Sequence, residues 1–210
     1  MTTVMVGLEN LVYADLTEKG KEFSYGEVKP FAPACAAKVD TATDSTTVYA
    51  DNGPIIVLSS TGETKVTIET TEIPQDVLAH ITGQKIVDGV IVWRQDAIPP
   101  YIALGFTGTK DDGNVRHVWL TKGRFSIPSI DWKTKEEKPE AQKESIEGTF
   151  VQRSDKVFKI TGDSSVEGYE KYRNTFFDEV FDISKLNSSS TATASTTTTT
   201  TKTSTSGGAA

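Results

Sequence analysis

A single cysteine, Cys35, excludes an intramolecular disulfide in this 210-residue chain. Histidine is nearly as scarce. His80 and His117 stand far apart, and neither has a His or Cys nearby. A zinc site needs several nitrogen or sulfur ligands at tight spacing, so no metal site is expected. Bases are outnumbered, 22 Lys and Arg against 29 Asp and Glu, for a net charge of −7. A nucleic-acid grip wants clustered cations that displace counterions, and this balance argues against one. No apolar run approaches the length that spans a bilayer. The opening MTTVMVGLEN has no basic segment followed by an apolar run, so no secretory signal is expected. The expectation is a soluble protein made in the cytosol.

Catalytic patterns are missing as well. There is no Gly-x-Ser-x-Gly nucleophile elbow. The glycines of Gly105-Phe106-Thr107-Gly108 fall inside a strand pattern, whereas a phosphate loop lies between a strand and a helix. Asp and Glu are plentiful enough for a glycosidase pair, but they sit mostly in turns and on solvated faces. No catalytic, cofactor or metal residue is singled out, and the chain is expected not to be an enzyme. From Asn187 onward apolar residues almost vanish: NSSSTATASTTTTTTKTSTSGGAA cannot bury a core and reads as a disordered tail. The expected division is one β domain over 1–186 and a Ser/Thr-rich tail over 187–210.

What is present is mostly strand pattern. Pro100 to Phe125 reads as two long strands around Lys110-Asp111-Asp112-Gly113-Asn114, where Asp-Gly supplies the positive φ of a tight reversal. Its two faces both carry bulk: Ile102, Leu104 and Phe106 on one, Tyr101 and Trp119 on the other. A sheet with one wet face alternates more cleanly. The second face therefore meets either another subunit or more of its own chain.

Around that hairpin, Val4–Leu16 reads as an opening strand pair or one long bent strand, with a turn or bulge at Gly7. Lys38–Gly53 is polar, rich in Thr and Asp, and reads as a functional loop or an extended hairpin arm. Ile55–Leu58 is a short apolar strand. Gly62–Glu72 alternates Thr64, Val66, Ile68 and Thr70 against Glu63, Lys65, Thr67, Glu69 and Thr71, a half-buried strand. Pro74–Thr82 reads as a helix with Gly83 as its C-terminal cap. Gln84–Trp93 reads as a hairpin around Asp88-Gly89. Ser126–Trp132 continues a strand, and Lys133–Glu140 is a charged connection. Glu144–Arg153 and Val157–Ile160 form a further strand pair. Ser164 and Glu167 have capping-box spacing, opening a second helix with Tyr169, Tyr172, Phe176, Phe177 and Val180 on its sheet-facing stripe.

The ordered set Val6-Gly7-Leu8-Glu9-Asn10-Leu11-Val12-Tyr13-Ala14, Tyr49-Ala50-Asp51-Asn52-Gly53-Pro54, the Pro100–Phe125 hairpin and Gly148-Thr149-Phe150-Val151 resembles the major tail proteins of long-tailed bacteriophages (siphoviruses) of Gram-positive bacteria, the phi13-type group. The resemblance spans roughly Val4–Phe181. It implies a mainly β fold with one or two flanking helices, a β-sandwich or barrel similar to type VI secretion tube proteins. It implies a structural virion protein without cofactors. Such subunits form hexameric rings that stack into a hollow tube around a tape measure protein, with tail tip and tail terminator proteins at the ends. DNA passes through the lumen without specific binding, and no membrane is involved.

The Lys38–Gly53 stretch resembles the arm that in such proteins reaches a neighbouring ring. The residues expected to meet other subunits are Thr43, Asp44, Thr47, Tyr49, Asp51, Asn52, Tyr101, His117 and Trp119. The competing expectation is a carbohydrate-binding β-sandwich of a cell surface or tail tip, with Trp93 or Trp132 as a sugar platform.

Overall fold

The computed structural model describes residues 3–50, 53–130 and 143–186. In chain order the elements are β1 (Met5–Lys19), β2 (Glu22–Tyr25), β3 (Lys29–Pro30), β4 (Ala34–Ala50), β5 (Gly53–Thr70), α1 (Gln75–Thr82), β6 (Lys85–Val87), β7 (Val90–Val92), β8 (Ile102–Lys110), β9 (Val115–Phe125), β10 (Ser129–Ile130), β11 (Glu144–Phe150), β12 (Lys159–Asp163) and the one-turn α2 (Glu170–Arg173). The chain is mainly β. One antiparallel sheet runs β2-β1-β8-β9-β11-β5-β4, and β6 and β7 form a separate hairpin. The sheet curls until β1 and β4 lie side by side without pairing.

Curling places one apolar cluster on the concave face. Leu11 and Tyr13 of β1, Val66 and Ile68 of β5, Ile102 and Leu104 of β8, Phe125 and Ile146 meet there. Helix α1 closes this core with Val77, Leu78 and Ile81, the face that its spacing predicts. Gly83 ends the helix at φ 70°, a left-handed conformation that glycine adopts without a Cβ penalty. The predicted hairpins at Asp88-Gly89 and Asp111–Gly113 both form. Gly62–Thr70 alternates as expected, with Thr64, Val66, Ile68 and Thr70 buried. Ile55–Leu58 is not a separate strand, however, because β5 is continuous from Gly53. The opening segment is one long strand, irregular at Met5/Gly7 and again between Glu9 and Val12.

The convex face of β8–β9 is covered by the chain's own C-terminal segment. Trp119 is fully buried there with Ala103, Phe176, Val180 and Phe181, and its indole Nε1 donates to the Phe176 carbonyl at 2.9 Å. Glycines make room for the rings. A Cβ on Gly105 would stand 2.8 Å from Phe177 and 2.9 Å from Trp119, and one on Gly162 would overlap the Tyr169 ring.

Two further expectations need correction. The segments Glu144–Phe150 and Lys159–Asp163 do not pair with each other. Both lie on the same edge of β9, β11 opposite Gly123–Phe125 and β12 opposite Arg116–Leu120. The predicted helix from Ser164 is also absent; only the single turn Glu170–Arg173 is helical. Ser164 does not cap it. Its Oγ accepts from Val115 N and donates to Asn114 Oδ1, and Gly168 at φ 88° breaks the run. The aromatic stripe still packs onto the sheet, carried by successive turns. Tyr169, Tyr172, Phe176, Phe177 and Val180 all join the second cluster. The charged connection 133–140 and the Ser/Thr-rich tail lie outside the described residues.

Where this segment begins, a buried ion cluster fastens it to the hairpin tip. Lys110 Nζ lies 2.7 and 2.8 Å from the two Asp163 carboxylate oxygens and donates to Ser165 Oγ at 2.8 Å. Arg116 adds two contacts to Asp163 Oδ2. Burial alone would raise the Asp163 pKa, but the hydrogen bonds from Lys110, Ser165 and Arg116 outweigh it and hold the carboxyl well below the usual carboxylate range.

Two outcomes are expected. Truncation of Phe176 to Ala removes a ring that is 1% exposed, and urea unfolding should report a loss of about 3–5 kcal/mol. A loss of a few tenths would contradict the packing described. For Asp163, the folded pKa lies below the unfolded one, so its contribution is complete above about pH 4 and is lost as pH falls through the folded value. Asp163→Asn should lower stability at pH 7 and flatten its decline at acid pH. An unchanged acid limb in thermal melts would refute the role.

Candidate assembly surfaces

Strand β5 changes character at Thr64. From Thr64 to Thr70 it pairs with β4 on one edge and β11 on the other. Strand β11 ends at Phe150, opposite Thr64. Beyond that point β4 and β5 pair only with each other, from Thr43↔Thr61 to Ala50↔Gly53. Lys38–Gly53 is thus one side of a hairpin arm rather than a loop. At about 3.3 Å per residue the unsupported part projects roughly 30 Å.

Among its described residues the unsupported ribbon has none that is buried. Ile56, Val57 and Leu58 are 52%, 63% and 59% exposed. Three consecutive apolar residues on a strand put bulk on both faces, so neither face of this ribbon is wholly polar. An isolated two-stranded ribbon is marginal in water without a surface to pack on. The outer edge of β4 adds to this: no described strand pairs with it along Ala34–Ala50, and the strand contains no proline and only one lysine, Lys38. An edge so lightly guarded is open to pairing with another chain.

The residues expected to meet other subunits divide into three groups. Thr43 and Asp44 are exposed on β4, and Thr47 is half-buried beside them. Tyr49 is in the strand, opposite Pro54. Asp51 and Asn52 lie outside the described residues. Trp119 and His117, by contrast, face inward. His117 is 7% exposed, its Nδ1 is 2.6 Å from the Tyr169 hydroxyl, and the Phe176 and Phe177 rings pack against it. Burial and the nearby Arg173 lower its pKa. Both residues fasten the C-terminal segment to the sheet, so the second face of the hairpin meets its own chain. His80, on α1, places its Nε2 2.6 Å from Asp15 Oδ1 of β1.

Tyr101 stands at the end of the convex face that the C-terminal segment leaves open. Lys122 Nζ lies 4.9 Å and the Arg124 guanidinium 3.9 Å from its ring centroid. Lys122 is paired with Glu18, which also accepts from Ser154 N at 3.0 Å. The Lys122 contact is the leading cause that lowers the Glu18 pKa. Arg124 has no carboxylate partner among the described residues, and its Nε is buried without a hydrogen-bond partner there.

Sequence reasoning missed both the exposure of Ile56–Leu58 and the position of Arg124. The unalternated apolar run was a signal for the first. The second depends on the irregular register between Ile102 and Leu104, which shifts β9 so that Arg124 shares a face with Trp119.

Other features are smaller. The β6–β7 hairpin exposes Val87, Val90 and Val92, with Trp93 next to it 46% exposed. Trp132 lies outside the described residues. A cleft of about 190 Å³ is lined by Phe23, Tyr25, Arg153 and Glu179–Asp182. Its Arg153 guanidinium is already satisfied by Asp155 and the Tyr25 hydroxyl and stacks on Phe23. Among the described residues no group of His, Cys, Asp and Glu could hold a metal ion, and no helix is long and apolar enough to cross a membrane.

No family model matches the chain, and no curated protein matches it. Among solved structures it is similar to the anti-feeding prophage cap, a tube-terminating cap, with a TM-score of 0.39 and 10% identity over 74% of this chain and 89% of that one. A likeness at this level decides nothing about function.

Proposed function

We propose that the chain is a structural subunit of a bacteriophage tail, a major tail tube protein that acts by self-assembly and not by catalysis. The observation that carries this reading is the β4–β5 arm, a two-stranded ribbon with exposed Ile56, Val57 and Leu58 that finds no partner among the described residues. An arm built this way suits packing against another molecule. The resemblance of Val4–Phe181 to the phi13-type tail proteins names that molecule as a second copy.

In this reading sheet edges pair from subunit to subunit to close hexameric rings. The arm crosses to the adjoining ring and orders there. Stacked rings enclose a lumen that holds the tape measure protein and later conducts DNA. An excess of acids over bases suits a conduit that must not grip a polyanion. Tail tip and terminator proteins cap the two ends, and the protein resides in the virion after synthesis in the host cytoplasm.

The test replaces residues 43–61 by a two-residue Asn-Gly turn, which preserves the sheet-bound base of the hairpin. Negative-stain microscopy over a range of concentrations should show hollow tubes for the native chain and none for the shortened one. Tubes of normal length from the shortened chain would refute the arm's role. A native chain that stays monomeric even with tail-tip complexes, yet binds glycans through the exposed Trp93, would replace this reading with the carbohydrate-binding one.

A further inference from the structure

We propose that Arg124, stacked on Tyr101, is the socket that receives Asp44 from the arm of another copy. The inference rests on the self-assembly reading and names the surface that the arm meets.

The first support is the state of Arg124. Its guanidinium carbon sits over the Tyr101 ring, 3.9 Å from the centroid, a cation–π contact that holds the fork in place before any anion arrives. Its Nε is buried without a hydrogen-bond acceptor among the described residues, and the terminal nitrogens of the half-buried fork are the ones an incoming carboxylate would reach. The neighbouring cation, Lys122, already has Glu18, so a further carboxylate here would pair with Arg124. An arginine held this way suits a planar, two-oxygen acceptor.

The second support is the charge of the arm. Between Val39 and Thr64 the sequence contains Asp40, Asp44, Asp51 and Glu63 and no Lys or Arg. At the base, Asp40 is paired with Lys38 and Glu63 with Lys65. Asp44 is exposed on the unsupported ribbon and has no partner among the described residues. The arm therefore presents an unpaired acid, and the open end of the convex face presents an unpaired base.

The register supplies the third support, since it prevents the two from meeting within one chain. Thr64 pairs with Phe150, and Phe150 with Gly123, the neighbour of Arg124. From that level the arm runs toward the end of the sheet where β9 begins, away from Arg124. A contact between unlike surfaces of two copies is head-to-tail, and repetition of it builds a stack instead of a closed pair.

The experiment is a charge-reversal cycle on the full chain, with the critical concentration for tube formation read by light scattering and pelleting. Circular dichroism confirms that each variant is folded. Arg124→Glu and Asp44→Arg should each raise the critical concentration about tenfold or more, and the double variant should return it to within about threefold of native. The effect of each single reversal should shrink as salt rises. Native assembly with no response to either reversal overturns the pairing and leaves the tube reading intact. Impairment by Arg124→Glu that Asp44→Arg does not rescue also overturns it. A native chain that never assembles overturns both readings.

Discussion

Strand β9 is the member on which the rest of the chain depends. It pairs with β8 along one edge and with β11 and then β12 along the other. Its two faces feed two separate apolar clusters, with Leu120 and Phe125 in the concave core and Trp119 in the convex one. A strand so enclosed cannot slip by one residue without moving a tryptophan and a phenylalanine into the wrong layer. Its position therefore fixes the register of its neighbours, and through β11 that of β5.

The same strand explains why an arm exists at all. After Phe150 the chain leaves β5 and returns to β9 as β12, meeting it again at Leu120. That crossing leaves the first half of β5 with β4 as its only strand partner among the described residues. What remains is a ribbon with apolar residues on both faces and an unguarded outer edge. Within one chain it is a defect, exposed and marginally stable. Against a second copy it becomes a connector, and the acidic character of the arm with the unpaired Arg124 gives that contact a direction. The C-terminal segment completes the design from the other side. It covers Trp119 and leaves Tyr101 half-exposed on the same face of β8 and β9.

Much of this was legible in the sequence, for identifiable reasons. Gly62–Thr70 alternates strictly, the Asp-Gly steps mark the two tight hairpins, and Pro74 and Gly83 bracket α1. Each is a local rule that tertiary contacts had no cause to override. The long polar stretch from Lys38 also announced itself, though loop and arm were equally compatible with it. Non-local partnership was not legible. Nothing in Glu144–Arg153 says that it will share the edge of β9 with Val157–Ile160 instead of pairing with it. The Ser164–Glu167 spacing mimics a capping box, but Ser164 is claimed by Asn114 and Val115 across the fold. The candidate contact residues show the same divide. Thr43 and Asp44 sit on the arm, as their polarity suggests, whereas His117 and Trp119 were drawn inward by Tyr169 and Phe176, partners more than fifty residues away.

The central claim is that the arm is completed by another copy of the chain. Hydrogen exchange of the arm amides, compared between dilute monomer and assembled material, tests it most directly. The account predicts rapid exchange over 43–47 and 56–61 in the monomer, while Leu104 and Trp119 stay protected, and strong protection of the arm in the assembly. Arm amides already protected in the monomer, or still exchanging freely within assembled tubes, would contradict it.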